Sequence, residues 1–139
     1  MKLILIAIGL VFAFCIIKVQ TTPAPPPDPA VEAAQKSVQD SILQLRSSMR
    51  NPESFKLTSA LVIDKTGVVC YEYRAQNGFG GMNASKAVAF GPLLTMDTYD
   101  TRSAFVRSWN RQCAGKSGTE MRNYANAAIE VGTRLGLTQ

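Results

Sequence analysis

The chain has 139 residues, 15 of them basic and 10 acidic, and a formal net charge of +5; that length accommodates one domain. It contains no histidine, which excludes Ser–His and Cys–His nucleophile pairs and most zinc and non-haem iron sites. Two of the 15 basic residues, Lys2 and Lys18, flank an apolar run, leaving 13 basic against 10 acidic residues elsewhere, a mild bias rather than the basic footprint of a nucleic-acid binder.

The apolar run, Leu3 to Ile17, is uninterrupted by any polar group except Cys15. Its fifteen residues make a helix of about 22 Å, short of the roughly 30 Å hydrocarbon core and suited to the h-region of a signal peptide. The cleavage region is poor: Thr22-Pro23-Ala24 is followed by Pro25, Val19-Gln20-Thr21 is a mediocre substitute, and Cys15 follows bulky Phe14 where a lipoprotein site needs a small residue. Residues 1–20 are therefore expected to be a signal peptide or a retained transmembrane anchor, the membrane being a partner if they are uncleaved. Residues 21–29 (TTPAPPPDP) form a Pro-rich spacer that is extended and semi-rigid. A PxxP ligand is disfavoured, because its readers are mostly cytosolic.

Residues 30–139 are expected as a single α+β domain. Asp28-Pro29 reads as an N-cap and first helical position. From there Val31, Ala34, Val38, Ile42, Leu45 and Met49 recur at helical spacing, and Pro52 ends the helix near Arg50. The period then becomes two. Phe55, Leu57, Leu61 and Ile63 alternate with polar neighbours, Asp64 to Gly67 supplies a turn, and Val68 to Ala75 is a dense β-former run. Val69, Tyr71, Tyr73 and Ala75 share one face of it, with Cys70, Glu72 and Arg74 on the other. After a connection from Gln76 to Ser85, Lys86 to Phe90 reads as a third strand, which Leu93 to Met96 extends. Phe105, Val106, Trp109 and Cys113 mark a helix from Thr101 to Cys113. Ser117 to Glu120 is a capping-box pattern opening a last helix, with Met121, Tyr124, Ala125, Ala128 and Leu135 as its buried stripe. The expected fold is an export helix and spacer, a helix, a three-stranded antiparallel meander, and two C-terminal helices covering one face.

Cys70 and Cys113 are the only cysteines beyond the apolar run, and an even pair in an exported chain reads as a structural disulfide. There is no CxxC, no metal-ligand set, and no motif for a cofactor. Of the acids, only Glu72 lies in the central strand, where pairing with Arg74 or a cross-strand lysine is favoured over catalysis; no second carboxylate completes a hydrolase site. Gly78-Phe79-Gly80-Gly81 is the most unusual stretch. One reading is a hairpin turn with Phe79 tucked over the core edge. The other is a rigid loop offering Arg74, Asn77, Phe79, Gly80 and Gly81 to a ligand or partner. Arg102, Arg107, Arg111, Lys116, Arg122 and Arg134 outnumber the acids in the last two helices, most simply as solvated helix surface.

Asn51-Pro-Glu-Ser-Phe-Lys56 followed by Gly67-Val-Val-Cys-Tyr-Glu-Tyr-Arg-Ala-Gln-Asn-Gly-Phe-Gly-Gly81 resembles small exported bacterial proteins sharing a PxSFK…CYxYRAxNxFGG core with a later Trp and Cys. The resemblance implies a bacterial source, supports pairing Cys70 with Cys113, and brings no activity with it. The N-terminus lacks the Gly and Glu pattern of type IV pilins. The expectation is thus a non-enzymatic accessory or binding domain in the periplasm or on the outer face of the bacterial inner membrane, acting on an envelope protein partner. An anion- or nucleic-acid-binding module using the basic C-terminal helices is the first alternative, and a carboxylate-dependent envelope hydrolase is the second.

Overall fold

The structure, a computed structural model, describes residues 26, 28–98 and 101–137. The expected export segment at 1–20 and most of the spacer at 21–29 lie outside the described residues. Helix α1 (Pro29–Ser47) begins as read: the Asp28 carboxylate accepts the Ala30 N–H at 2.9 Å, with Pro29 in the first turn. Its stripe Ala34, Val38, Ile42 and Leu45 is buried. It stops three residues before Arg50, where the Ser48 hydroxyl donates to the Gln44 carbonyl at 2.7 Å and competes with the helical ladder. A single 3-10 turn, Pro52–Ser54, leads into the sheet.

Among the described residues that sheet has five antiparallel strands, not three: β1 (Lys56–Ile63), β2 (Val69–Gln76), β3 (Met82–Phe90), β4 (Leu93–Met96) and β5 (Gly118–Glu120), ordered β4-β3-β2-β1-β5. Each departure from the expected meander has a physical cause. Gly91, at φ +54°, and Pro92 reverse the chain, so Leu93–Met96 folds back against β3 with Leu93 opposite Phe90 instead of prolonging it. Strand β3 starts at Met82 because hairpin pairing with β2 carries Asn83, Ala84 and Ser85, which have little strand preference of their own. The capping-box segment Ser117–Glu120 is recruited as an edge strand, with Gly118 to Glu120 paired to Ile63 to Leu61. Strand β1 offers unpaired backbone groups there, and Gly118 has no side chain to prevent the approach: a Cβ would fall 2.1 Å from the Val62 carbonyl oxygen.

Helix α3 (Arg122–Arg134) consequently begins later than the pattern suggests, and Leu135 lies past its end, 67 % exposed. Helices α1 and α3 cover one face of the sheet, where Val38, Ile42 and Leu45 meet Val69, Tyr71, Tyr73, Ala87 and Ala125. Val38, Ile42, Leu45 and Val69 each contribute roughly 1.5–3 kcal/mol on full burial. Helix α2 (Arg102–Gln112) lies on the opposite face, packing Phe105 and Trp109 against Ile63, Val68, Cys70 and Val88. The two C-terminal helices therefore do not share a face, because the alternation of β2 sends Cys70 away from Tyr71 and the Cys70–Cys113 disulfide, with its Cα atoms 5.8 Å apart, holds the end of α2 there. A bulge between Leu57 and Ser59 likewise splits the expected β1 stripe. Phe55 and Leu57 pack toward α1 and α3, while Leu61 and Ile63 join the α2 cluster.

The disulfide is compatible with an oxidising compartment. Among the described residues, no helix is long and apolar enough to cross a membrane.

Candidate functional site

The β2–β3 hairpin ends in the five residues Asn77–Gly81, and their conformation is set by Asn77. Its Oδ1 accepts the N–H groups of Phe79 at 3.0 Å and Gly81 at 2.9 Å, while its own N–H donates to the Gly81 carbonyl at 2.8 Å. This Asx-type clamp closes the loop. Gly80 sits at φ +87°, a left-handed conformation that a side chain would strain. Gln76 secures the base: its Nε2 donates to the Gly80 carbonyl at 3.0 Å, its Oε1 accepts from Asn51 Nδ2 at 2.8 Å, and its N–H donates to Ser54 Oγ at 2.9 Å. The loop is thereby fastened to the 3-10 turn.

Phe79 is not tucked over the core; it is 100 % exposed. Asn77, Gly80 and Gly81 shape the loop that presents it. Arg74 is not brought to this loop. It stands on the α2-side face of β2, opposite Lys56 of β1 and Ala84 of β3. The cation that does reach the loop is Arg50, whose guanidinium lies against Gly78. In the sequence Arg50 marks only the end of a helix, and no local signal couples it to a glycine 28 positions later.

The other chemically suggestive groups are engaged. Glu72 accepts from Lys86 Nζ at 2.6 Å across the β2–β3 pair, and the same ammonium lies 4.4 Å from the centre of the Trp109 ring. Glu120 accepts from the Ser59 hydroxyl at 2.6 Å and from the N–H groups of Ala60 at 2.8 Å and Arg122 at 2.9 Å. Among the described residues, no group of three or more cysteines and acids converges as a metal site. The basic residues of the C-terminal helices do not form one surface: Arg107 and Arg111 lie on α2 and Arg122 and Arg134 on α3, across the sheet from each other. Arg134 is also paired with Glu130.

No family model matches the chain, and no curated protein or solved structure shows significant similarity to it.

Proposed function

We propose that the protein is a non-enzymatic binding domain of the cell envelope, exported or held at the outer face of the inner membrane, which engages a protein partner with Phe79 as its anchor. The observation that carries this reading is the pairing of complete exposure with a fixed loop. An aromatic ring in water leaves roughly 1.5–3 kcal/mol of burial unrealised. A loop already held by the Asn77 clamp and Gln76 loses little further entropy when it docks. Buried aromatic anchors dominate the energetics of protein interfaces. The disulfide supports action in an oxidising compartment, and the engagement of Glu72 with Lys86 weighs against a carboxylate-dependent hydrolase.

A photo-crosslinking phenylalanine analogue placed at position 79 in the intact chain, in bacterial cells that make the protein, is expected to give a discrete adduct. The same analogue at exposed Val131 gives none, and adding Asn77→Ala weakens the adduct at 79. Equal labelling from both positions overturns the reading. So does turnover of an envelope polymer by the purified domain that is lost on Glu72→Gln.

A further inference from the structure

Gly78 has no left-handed φ and lies against the Arg50 side chain: a Cβ on residue 78 would fall 2.3 Å from Arg50 Nη1, so the guanidinium would have to move. Beside this contact is a cleft of about 250 Å³ between the end of α1 and the core-side face of the hairpin. Met49 and Ala75 supply its apolar wall, and Arg50, Asn83, Ser85 and Thr98 supply guanidinium, carboxamide and hydroxyl groups. Among the described residues, no carboxylate lines it. Two described acids of the neighbouring segments are engaged: Glu53 accepts from Arg46 Nη2 at 2.7 Å, and Asp97 accepts the Lys86 N–H at 2.8 Å. Among the described residues, Arg50 makes neither an ion pair nor a hydrogen bond.

A guanidinium with unused donors, set among neutral polar groups of the described residues, is matched in charge and geometry to an oxyanion. The volume lies below the roughly 300–1,000 Å³ of typical small-molecule sites, so it suits one compact group rather than an extended ligand. We propose that this cleft is an oxyanion-binding site for a carboxylate or phosphate borne on a small polar group, with Arg50 as its charge partner and Gly78 as the residue that leaves the guanidinium its place. The site is open to solvent, and its affinity falls with ionic strength. It does not depend on Phe79, which lies outside the cleft at the tip of the loop.

The test is a titration of the ¹⁵N-labelled domain followed by NMR, with inorganic phosphate in one arm and glucuronate in the other, chloride holding ionic strength constant. Saturable shifts are expected for the Arg50 Nε–H and the Gly78 amide in at least one arm, and the arm that saturates identifies the oxyanion. Arg50→Gln should weaken binding about tenfold or more, the loss of one charge-assisted hydrogen bond. Gly78→Ala should weaken it in the same direction by displacing the guanidinium, with the remaining spectrum unchanged in both variants. Phe79→Ala should leave the titration intact while abolishing partner engagement, so the two readings fail separately. Absence of saturation in both arms, or saturation that Arg50→Gln does not alter, overturns the proposal.

Discussion

The Tyr71 hydroxyl and the Ser41 hydroxyl meet at 2.8 Å in the interior, joining the central strand to α1 across 30 positions of sequence. Each hydroxyl also has a backbone acceptor, the Ser37 carbonyl at 2.8 Å for Ser41 and the Val38 carbonyl at 3.4 Å for Tyr71, so the bond between them can run in either sense. This chain of bonds is what allows a phenol to sit fully buried between Val38 and the sheet.

Ser41→Ala should therefore destabilise the domain by about 1–3 kcal/mol, because it strips the buried phenol of its close partner, while Tyr71→Phe should cost about 1 kcal/mol. Burial pushes the Tyr71 phenol well above its ordinary value of 10.0, against a lowering contribution from Ser41. The unfolded chain then releases this proton first as pH rises. The contribution is complete below pH 10 and is lost progressively above it. Urea denaturation at pH 8 and pH 11 should show a drop in stability that Tyr71→Phe reduces; an equal drop in both proteins would remove Tyr71 from the account.

Glu120 gives the opposite sign. Burial pushes its carboxyl up, but the Ser59 hydroxyl, the Ala60 and Arg122 amides and the Arg122 charge together hold it below its ordinary value of 4.5. Its contribution is present above that value and is lost as pH falls through the lower, folded one. Glu120→Gln should flatten the acid limb of the stability profile below about pH 4.5 and leave the neutral plateau nearly level. Circular dichroism during acid titration of both proteins would reveal it.

Removing the disulfide with the pair Cys70→Ala and Cys113→Ala should cost about 4 kcal/mol on the chain-entropy model. The loss should be local in its first expression. Helix α2 rests on its sheet face chiefly through Phe105, Trp109 and the Cys113 end. Hydrogen exchange should rise in α2 before α1, and uniform acceleration would contradict this division.

Two glycines separate a rigid obstacle from a soft one. A Cβ at 118 meets backbone, 2.1 Å from the Val62 carbonyl oxygen, whereas a Cβ at 132 meets the Leu43 side chain at 2.7 Å. Gly118→Ala should displace β5 and speed exchange along Leu61–Ile63, costing about 1–3 kcal/mol. Gly132→Ala should cost less, because Leu43 can rotate and alanine favours the helix by about 1 kcal/mol. Melting temperatures that reverse this order would refute the assignment.

The elements that were legible before folding are those whose signal is local. The Val38–Ile42–Leu45 stripe defined α1, the Asp28 cap its start, and the alternation of Val69, Tyr71 and Tyr73 against Cys70 the two faces of β2. The pairing of Cys70 with Cys113 followed from their number. What local pattern misjudged was decided by partners distant in sequence. Ser117–Glu120 carries a sound helix-start motif, yet the open edge of β1 accepts it as a strand. The β1 stripe is regular in sequence, but the bulge at Leu57–Ser59 turns half of it to the other face.

For the candidate site the division is the same. Composition alone, without histidine, removed the commonest nucleophile–base chemistries, and the spacing of Asn77 and its glycines marked an unusual loop. Whether Phe79 faces the core or water, and that Arg50 rather than Arg74 reaches the loop, are matters of tertiary placement. Asn51 donates to the Gln76 side chain and the Gln76 N–H donates to Ser54, tying the hairpin to the 3-10 turn, and the end of α1 lays a guanidinium on Gly78. Periodicity reports which face of an element is apolar; only closure of the chain determines what lies across from it.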